Sequence, residues 1–195
     1  MRLKNALVIV DVQRDFCPGG SLVVPKGDDV VPVLNTYIKL FNYLNLPIFY
    51  SRDLHPEYTK HFENWPKHCV KGTEGADFHP DLFVDPFAFH IFKGLEDDDA
   101  YSAFDGTWDI ADMDLKDLLL HLGIDKLFVG GLATDYCVKA TCLDGKKYGT
   151  NVCFLQDGSR GVNLKPGDVS AAVQEMFNSG VDIITYDDIF NRLSE

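Results

Sequence analysis

At 195 residues, 46% hydrophobic and 25% charged, the chain has the balance of a soluble globular protein and is long enough to bury a real core. Its formal net charge of −12, with acids concentrated between Glu96 and Asp117 against one base, Lys116, disfavours nucleic acid as a partner. No apolar run approaches the roughly 18 residues that span a bilayer, so no membrane partner is expected. The five cysteines (Cys17, Cys69, Cys137, Cys142, Cys153) are irregularly spaced without a CxxC pair, which argues for reduced thiols.

Met1-Arg2-Leu3-Lys4 runs directly into "ALVIVD" (6–11), a strand-like run too short for a signal segment and without a cleavage site, so a cytoplasmic protein is expected. Val31, Leu34, Ile38 and Phe41 then recur at helical spacing, with Pro32 acceptable in the first turn. A second strand, "LPIFYSR" (46–52), is followed by a long irregular insert over 53–87, rich in His, Pro and Gly. Such loops inside compact domains are usually functional or disordered. "AFHIFK" (88–93) reads as a third strand. Leu115, Leu118, Leu119 and Leu122 form a helical stripe stopped by Gly123. "DKLFVGG" (125–131) is a fourth strand, followed by a weaker helix over 136–148 in which Val138, Cys142 and Leu143 can share a face. "TNVCFLQ" (150–156), a helix carried by Val169, Val173, Met176 and Phe177 that stops near Gly180, and "VDIITY" (181–186) complete the order.

Short continuous runs rich in β-branched and aromatic residues read as interior parallel strands. Their alternation with helices predicts an α/β fold, a three-layer α/β/α domain with a doubly wound, mainly parallel six-stranded sheet. Residues 1–195 are expected to form one domain, with 53–87 as an insert. The acidic stretch 96–117 reads as a solvated face.

Ligands of open α/β sheets bind beyond the carboxyl ends of the strands. Asp11, Asp53 and Lys93 end strands there, and the fourth strand leads to Cys137. The insert adds "RDLHPEYTKHFENWPKHC", which sets Asp53, His55, His61 and His68 as D-x-H-x5-H-x6-H. Imidazoles with a carboxylate suit zinc, iron or manganese, although histidines can also simply populate a surface loop. His79, His90 and His121 have no such partner set and read as structural, His90 as a core histidine. Cys137 alone reads better as a small packed hydrophobe. An Asp–Lys–Cys grouping admits a second reading: a thiol whose pKa falls near a cation and at a helix N-terminus, with the aspartate moving its proton. Thr134 and Asp135 are N-cap candidates for that helix, whose backbone N–H groups could hold an oxyanion.

The segments "IVDVQRDFCPGGSL", "RDLHPEYTKHF", "WPKHCVKGTEGADFHP", "FKG", "AYSAF" and "GGLATDYCV", in this order between residue 8 and about 140, resemble the nicotinamidases of the isochorismatase-like cysteine hydrolase superfamily. The strand and helix pattern continues in register to about 186. The resemblance implies Asp11 as general base, Lys93 as its cationic partner and Cys137 as nucleophile. It implies Asp53, His55, His61 and His68 as ligands of one divalent metal ion, most commonly zinc, with iron or manganese also found. The Leu132–Ala133 bond matches a cis peptide before an oxyanion hole formed by the Ala133 and Cys137 N–H groups. Phe16, Trp65, Tyr101 and Tyr136 match positions that enclose a pyridine ring, though aromatics there also suit ordinary packing. The implied activity is hydrolysis of nicotinamide to nicotinate and ammonia through a cysteine thioester, in NAD salvage, with pyrazinamide also accepted and a homo-oligomer left open.

Two departures from the family pattern are Arg14, expected to face outward, and the unusually acidic run Glu96–Asp99. Rival readings are a cysteine amidohydrolase of ureido or carbamoyl substrates, and a metal- or redox-responsive binding protein without turnover.

Overall fold

The alternation of apolar runs and amphipathic stripes builds one eight-stranded sheet with helices on both faces in a computed structural model that describes residues 4–96 and 99–194. Met1–Leu3 and Asp97–Asp98 of the acidic run lie outside the described residues. The strands are β1 (Lys4–Val10), β2 (Ile48–Asp53), β3 (Phe89–Lys93), β4 (Thr107–Trp108), β5 (Met113–Asp114), β6 (Ile124–Leu132), β7 (Asn151–Arg160) and β8 (Asp182–Ile184). Their spatial order is β5-β4-β3-β2-β1-β6-β7-β8.

The six strands expected from the sequence are the six parallel ones, β3-β2-β1-β6-β7-β8 across the sheet. Two antiparallel strands of two residues each, β4 and β5, extend the sheet at its β3 edge. Elements this short carry no periodicity, and they lie in the stretch read as a solvated acidic face. Strand β7 runs on to Arg160, beyond the apolar run. Strand β8 stops at Ile184 because Thr185 begins a capped turn, its hydroxyl donating to Asp188.

Successive residues of a strand point to opposite faces, which explains why "ALVIV" is apolar throughout. Leu7 and Ile9 pack into one core with helix α1 (Val30–Tyr43), while Ala6, Val8 and Val10 pack into another with α2 (Leu115–Leu122), α3 (Lys139–Lys147) and α4 (Asp168–Asn178). The short α5 (Ile189–Ser194) joins the α1 side through Ile189. These are the three layers.

The α1 stripe buries Val31, Leu34, Ile38 and Phe41 as its spacing predicts. In α2 the Asp114 carboxylate accepts from Asp117 N at 2.7 Å, and Gly123 ends the helix at φ +66°, a conformation glycine adopts without a Cβ clash. The α4 stripe needs a correction. Ala172 and Met176 are its buried residues, whereas Phe177 is 62% exposed, one position further round the helix than the core face. No helix among the described residues is long and apolar enough to cross a membrane.

Candidate active site

Strands β3, β2, β1 and β6 lie side by side, and their carboxyl ends deliver the four reactive residues. Register pairs Lys93 with Asp53, and Val10, which precedes Asp11, with both Ser51 and Gly131. At Gly131 (φ +127°) a Cβ would overlap the Val10 backbone, so glycine lets β6 close on β1 just before the chain turns toward Cys137. The Leu132–Ala133 peptide is cis. Asp11 holds φ +47°, a left-handed conformation that costs a non-glycine residue free energy and is common where a site over-determines the backbone.

Lys93 is fully buried. Its ammonium pairs with Asp11 Oδ2 at 2.8 Å and with Asp53 Oδ1, and lies 3.6 Å from Cys137 Sγ and 3.3 Å from the Ala100 carbonyl. Ser51 Oγ donates to Asp11 Oδ1 at 2.6 Å. Ligand atoms of Asp11, Asp53 and Cys137 all lie within 4.8 Å of one another. Burial opposes the lysine charge, but Asp11, Asp53 and Cys137 outweigh it and hold the ammonium pKa well above the ordinary lysine value. Burial also pushes the Asp11 carboxyl up, against the pull of Lys93.

The expected lowering of the Cys137 pKa is reversed. Burial raises the Cys137 thiol well above its ordinary pKa, and the neighbouring aspartates add to this while Lys93 opposes it. The resting group is therefore a thiol, and a base must take its proton as it attacks. The N-cap expectation also fails. The Thr134 hydroxyl pairs with Ser159 Oγ at 2.8 Å, and the Asp135 carboxylate accepts from Val162 N (2.9 Å) and Asn163 N (2.7 Å). Residues 134–138 form a π-helical turn ahead of α3, with no side-chain cap. Both polar groups are used across the fold, fastening β6 and its turn to β7 and the loop that follows it.

The insert folds back so that ligand atoms of His55, His61 and His68, all buried, lie within 4.8 Å of one another. Asp53 stands between the two clusters, its Oδ1 on Lys93 and its Oδ2 4.0 Å from His55 Nε2. His68 Nδ1 donates to the Pro66 carbonyl at 2.7 Å, and His61 Nδ1 meets Asp99 Oδ1 at 2.5 Å, which leaves each ring's Nε2 as the donor toward the cluster. Neither ring nitrogen of His55 has a hydrogen-bond partner among the described residues, although the ring is 1% exposed. Burial and the neighbouring histidines hold its pKa at about 3, so the ring is neutral. Three clustered imidazoles with orphaned or outward-braced nitrogens beside a carboxylate are the donor set a divalent transition metal requires, and the residues fit such an ion. Asp99 is then an outer partner of the His61 ring. Asp99→Ala is expected to weaken zinc binding by about 10–100-fold, read by competition with a chromogenic chelator; unchanged affinity would remove that role.

A cavity joins the two clusters. Phe16, Trp65, Tyr101 and Tyr136 line it together with Cys137, Ala133, Asp53, His61 and His68. Trp65 Nε1 donates to Tyr101 Oη at 3.0 Å, the Trp65 ring meets Tyr136 edge-on at 5.0 Å, and Phe16 tilts against His68 at 5.4 Å. All the site residues singled out in the sequence thus converge at this end of the sheet. Arg14 faces solvent, and His90 lies half-buried between the rings of Tyr50 and Phe78.

Sequence reasoning missed the supporting groups. Gln13 is fully buried, accepts from Asp53 N (2.8 Å), and donates to the carbonyls of Asp53 (2.8 Å) and Ala76 (2.9 Å), clamping the Asp53 backbone. It also missed Ser51 and the apolar lining Leu22, Val24, Ala100 and Val162, and the acidic run Glu96–Asp99, expected to stay clear of the metal ligands, instead sets Asp99 on the His61 ring. Only Gln13 offered a faint signal, a polar residue within the "VDVQ" run.

The Isochorismatase domain model matches residues 5–188. The chain is 38% identical to the nicotinamidase of Escherichia coli (strain K12), over 94% of this chain and 96% of that protein. It superposes on the crystal structure of a pyrazinamidase of Pyrococcus horikoshii in complex with zinc with a TM-score of 0.85 and 40% identity, covering 94% of this chain and 99% of that one. It superposes on PnC1 from L. infantum in complex with nicotinate with a TM-score of 0.83 and 32% identity, covering 96% and 95% of the two chains.

Proposed function

The chain belongs to the isochorismatase family, and from that premise we propose that it is a nicotinamidase, hydrolysing nicotinamide to nicotinate and ammonia and accepting pyrazinamide as well. The observation that carries the reading is one cavity lined by a thiol 3.6 Å from a buried ammonium, by His61 and His68 of the three clustered imidazoles, and by a set of aromatic rings. A flat heteroaromatic amide suits such a space, its ring among Phe16, Trp65, Tyr101 and Tyr136 and its carboxamide at Cys137. A divalent ion held by Asp53, His55, His61 and His68, with zinc the first choice, would supply a Lewis-acidic anchor for the ring nitrogen.

Asp11 takes the Cys137 proton as the sulfur attacks the carboxamide carbon, because the raised thiol pKa leaves little thiolate to attack unaided. The Ala133 and Cys137 N–H groups serve as the oxyanion donors. Asp11 then passes its proton to the departing nitrogen, ammonia leaves, and a thioester remains on Cys137. Water, deprotonated by the same carboxylate, cleaves the thioester and restores the thiol. Lys93 keeps Asp11 charged between these transfers and fixes it beside the sulfur.

In this reading residues 1–195 act as one hydrolase domain with 53–87 as its metal-binding insert, supported by a single sheet and a family match over 5–188. The five cysteines form no disulfide among the described residues, which suits a reducing compartment such as the cytoplasm. The test is ammonia release from nicotinamide, pyrazinamide and a ureido compound, with elemental analysis of the same sample. Release from the two heteroaromatic amides is expected, together with about one equivalent of divalent metal. Release from the ureido compound alone, or from none of the three, overturns the assignment.

A further inference from the structure

We propose that Asp15 is a positioning residue for the metal-binding histidines, a role that rests on the metal reading of the His55, His61 and His68 cluster. Asp15 is 7% exposed, and no lysine, arginine or histidine forms an ion pair with it among the described residues. A buried carboxylate without a cation is costly unless donors surround it. Its donors are the Cys69 N–H on Oδ2 at 2.7 Å, and the Ser21 N–H (3.1 Å) and Ser21 hydroxyl (2.9 Å) on Oδ1.

The Cys69 bond is the one that bears on the site. Cys69 follows His68 directly and holds φ +45°, a left-handed conformation that a cysteine adopts only when held there. Its N–H is fastened to Asp15, and its carbonyl accepts from His55 N at 2.9 Å. The peptide units on either side of Cys69 therefore set where the His68 ring leaves the backbone and where the His55 backbone lies. The other Asp15 oxygen fastens Ser21, and the Asp15 carbonyl accepts from Leu22 N at 2.9 Å, which places the Leu22–Val24 wall of the cavity. One carboxylate thus sets the distance between the apolar wall and the histidine wall. The fit is tight, since a Cβ at Gly75 would overlap the Asp15 carboxylate.

The test measures zinc affinity by chelator competition and the visible absorption of the cobalt-loaded protein, neither of which depends on turnover. Asp15→Asn turns an amide N–H₂ or a weaker acceptor toward the Cys69 and Ser21 donors. Gly75→Ala displaces the carboxylate without changing it. Each is expected to weaken zinc binding about tenfold or more and to shift the cobalt bands. Asp157→Asn is the control: Asp157 accepts from Tyr37 Oη (2.8 Å) and Tyr186 N (3.0 Å), so its loss should lower the thermal midpoint and leave zinc affinity unchanged. If Asp15→Asn does not fold, Gly75→Ala carries the test. Wild-type zinc affinity and an unchanged cobalt spectrum in the folded variants overturn the proposal, as does an equal affinity loss in Asp157→Asn. Failure of the nicotinamidase reading looks different: the wild type then binds zinc and the variants bind it weakly, but no amide is hydrolysed.

Discussion

Cys137→Ala is expected to lower nicotinamide turnover by about 10⁵–10⁶-fold, the scale on which an enzyme loses activity with its nucleophile, and to leave metal content at the wild-type value. The separation follows from the geometry. Cys137 belongs with Asp11 and Asp53, whereas the three imidazoles form their own group, braced from behind by Pro66 and Asp99. Losing one buried sulfur removes no metal donor and leaves a void too small to unfold the protein. Parallel measurements of ammonia release and zinc content decide it. Retained turnover rules out the covalent route, and loss of zinc together with activity would mean that the two clusters are one.

Lys93→Met should be nearly as damaging, by a different route. The ammonium is fully buried and faces two carboxylates and a thiol. Its removal leaves Asp11 and Asp53 uncompensated at the centre of the fold, which costs about 3–5 kcal/mol when one side of a buried ion pair is lost. Turnover should fall about 10²–10⁴-fold, since Asp11 would no longer be held charged as the base.

The pH dependence of this variant has a definite sign. Burial already raises the Asp11 carboxyl against the pull of Lys93, and without the ammonium only the Ser51 hydroxyl opposes the rise. The folded protein then keeps a proton that the unfolded chain releases near an ordinary carboxylate pKa of about 4. With more protons bound in the folded state, stability decreases as pH rises through that window. Thermal midpoints between about pH 5 and pH 8 should thus fall with pH in Lys93→Met more steeply than in the wild type. A variant with wild-type stability and no such slope would show that Lys93 is not neutralising the pair.

Much of the site was legible because strand ends and local spacings are written along the chain. Asp11, Asp53 and Lys93 each close an apolar run, and in a parallel sheet those ends share one edge. The D-x-H-x5-H-x6-H spacing needs only a folded-back loop to converge. The same reasoning failed where a residue's partner is remote in sequence. Thr134 and Asp135 have the composition of helix caps, yet Ser159 and the Val162–Asn163 backbone claim them across 25 to 28 positions. Phe177 follows the apolar stripe by count, but the core is one position away around the helix.

What the sequence by itself determined is therefore the order of the strands and helices, the edge where the polar groups gather and the identity of those groups. The order of apolar runs and the residues that close them are local properties, and tertiary packing did not override them. Only the tertiary structure decided the protonation of Cys137, because a thiol's pKa depends on burial and on charges delivered by three other strands, and here burial and two carboxylates outweigh one lysine. It alone decided that Gln13 clamps Asp53, that Asp99 braces His61 and that Asp15 holds Cys69. Each of these is a hydrogen bond across dozens of residues, formed only once β1, the insert and the loop after β3 have been brought together by the sheet.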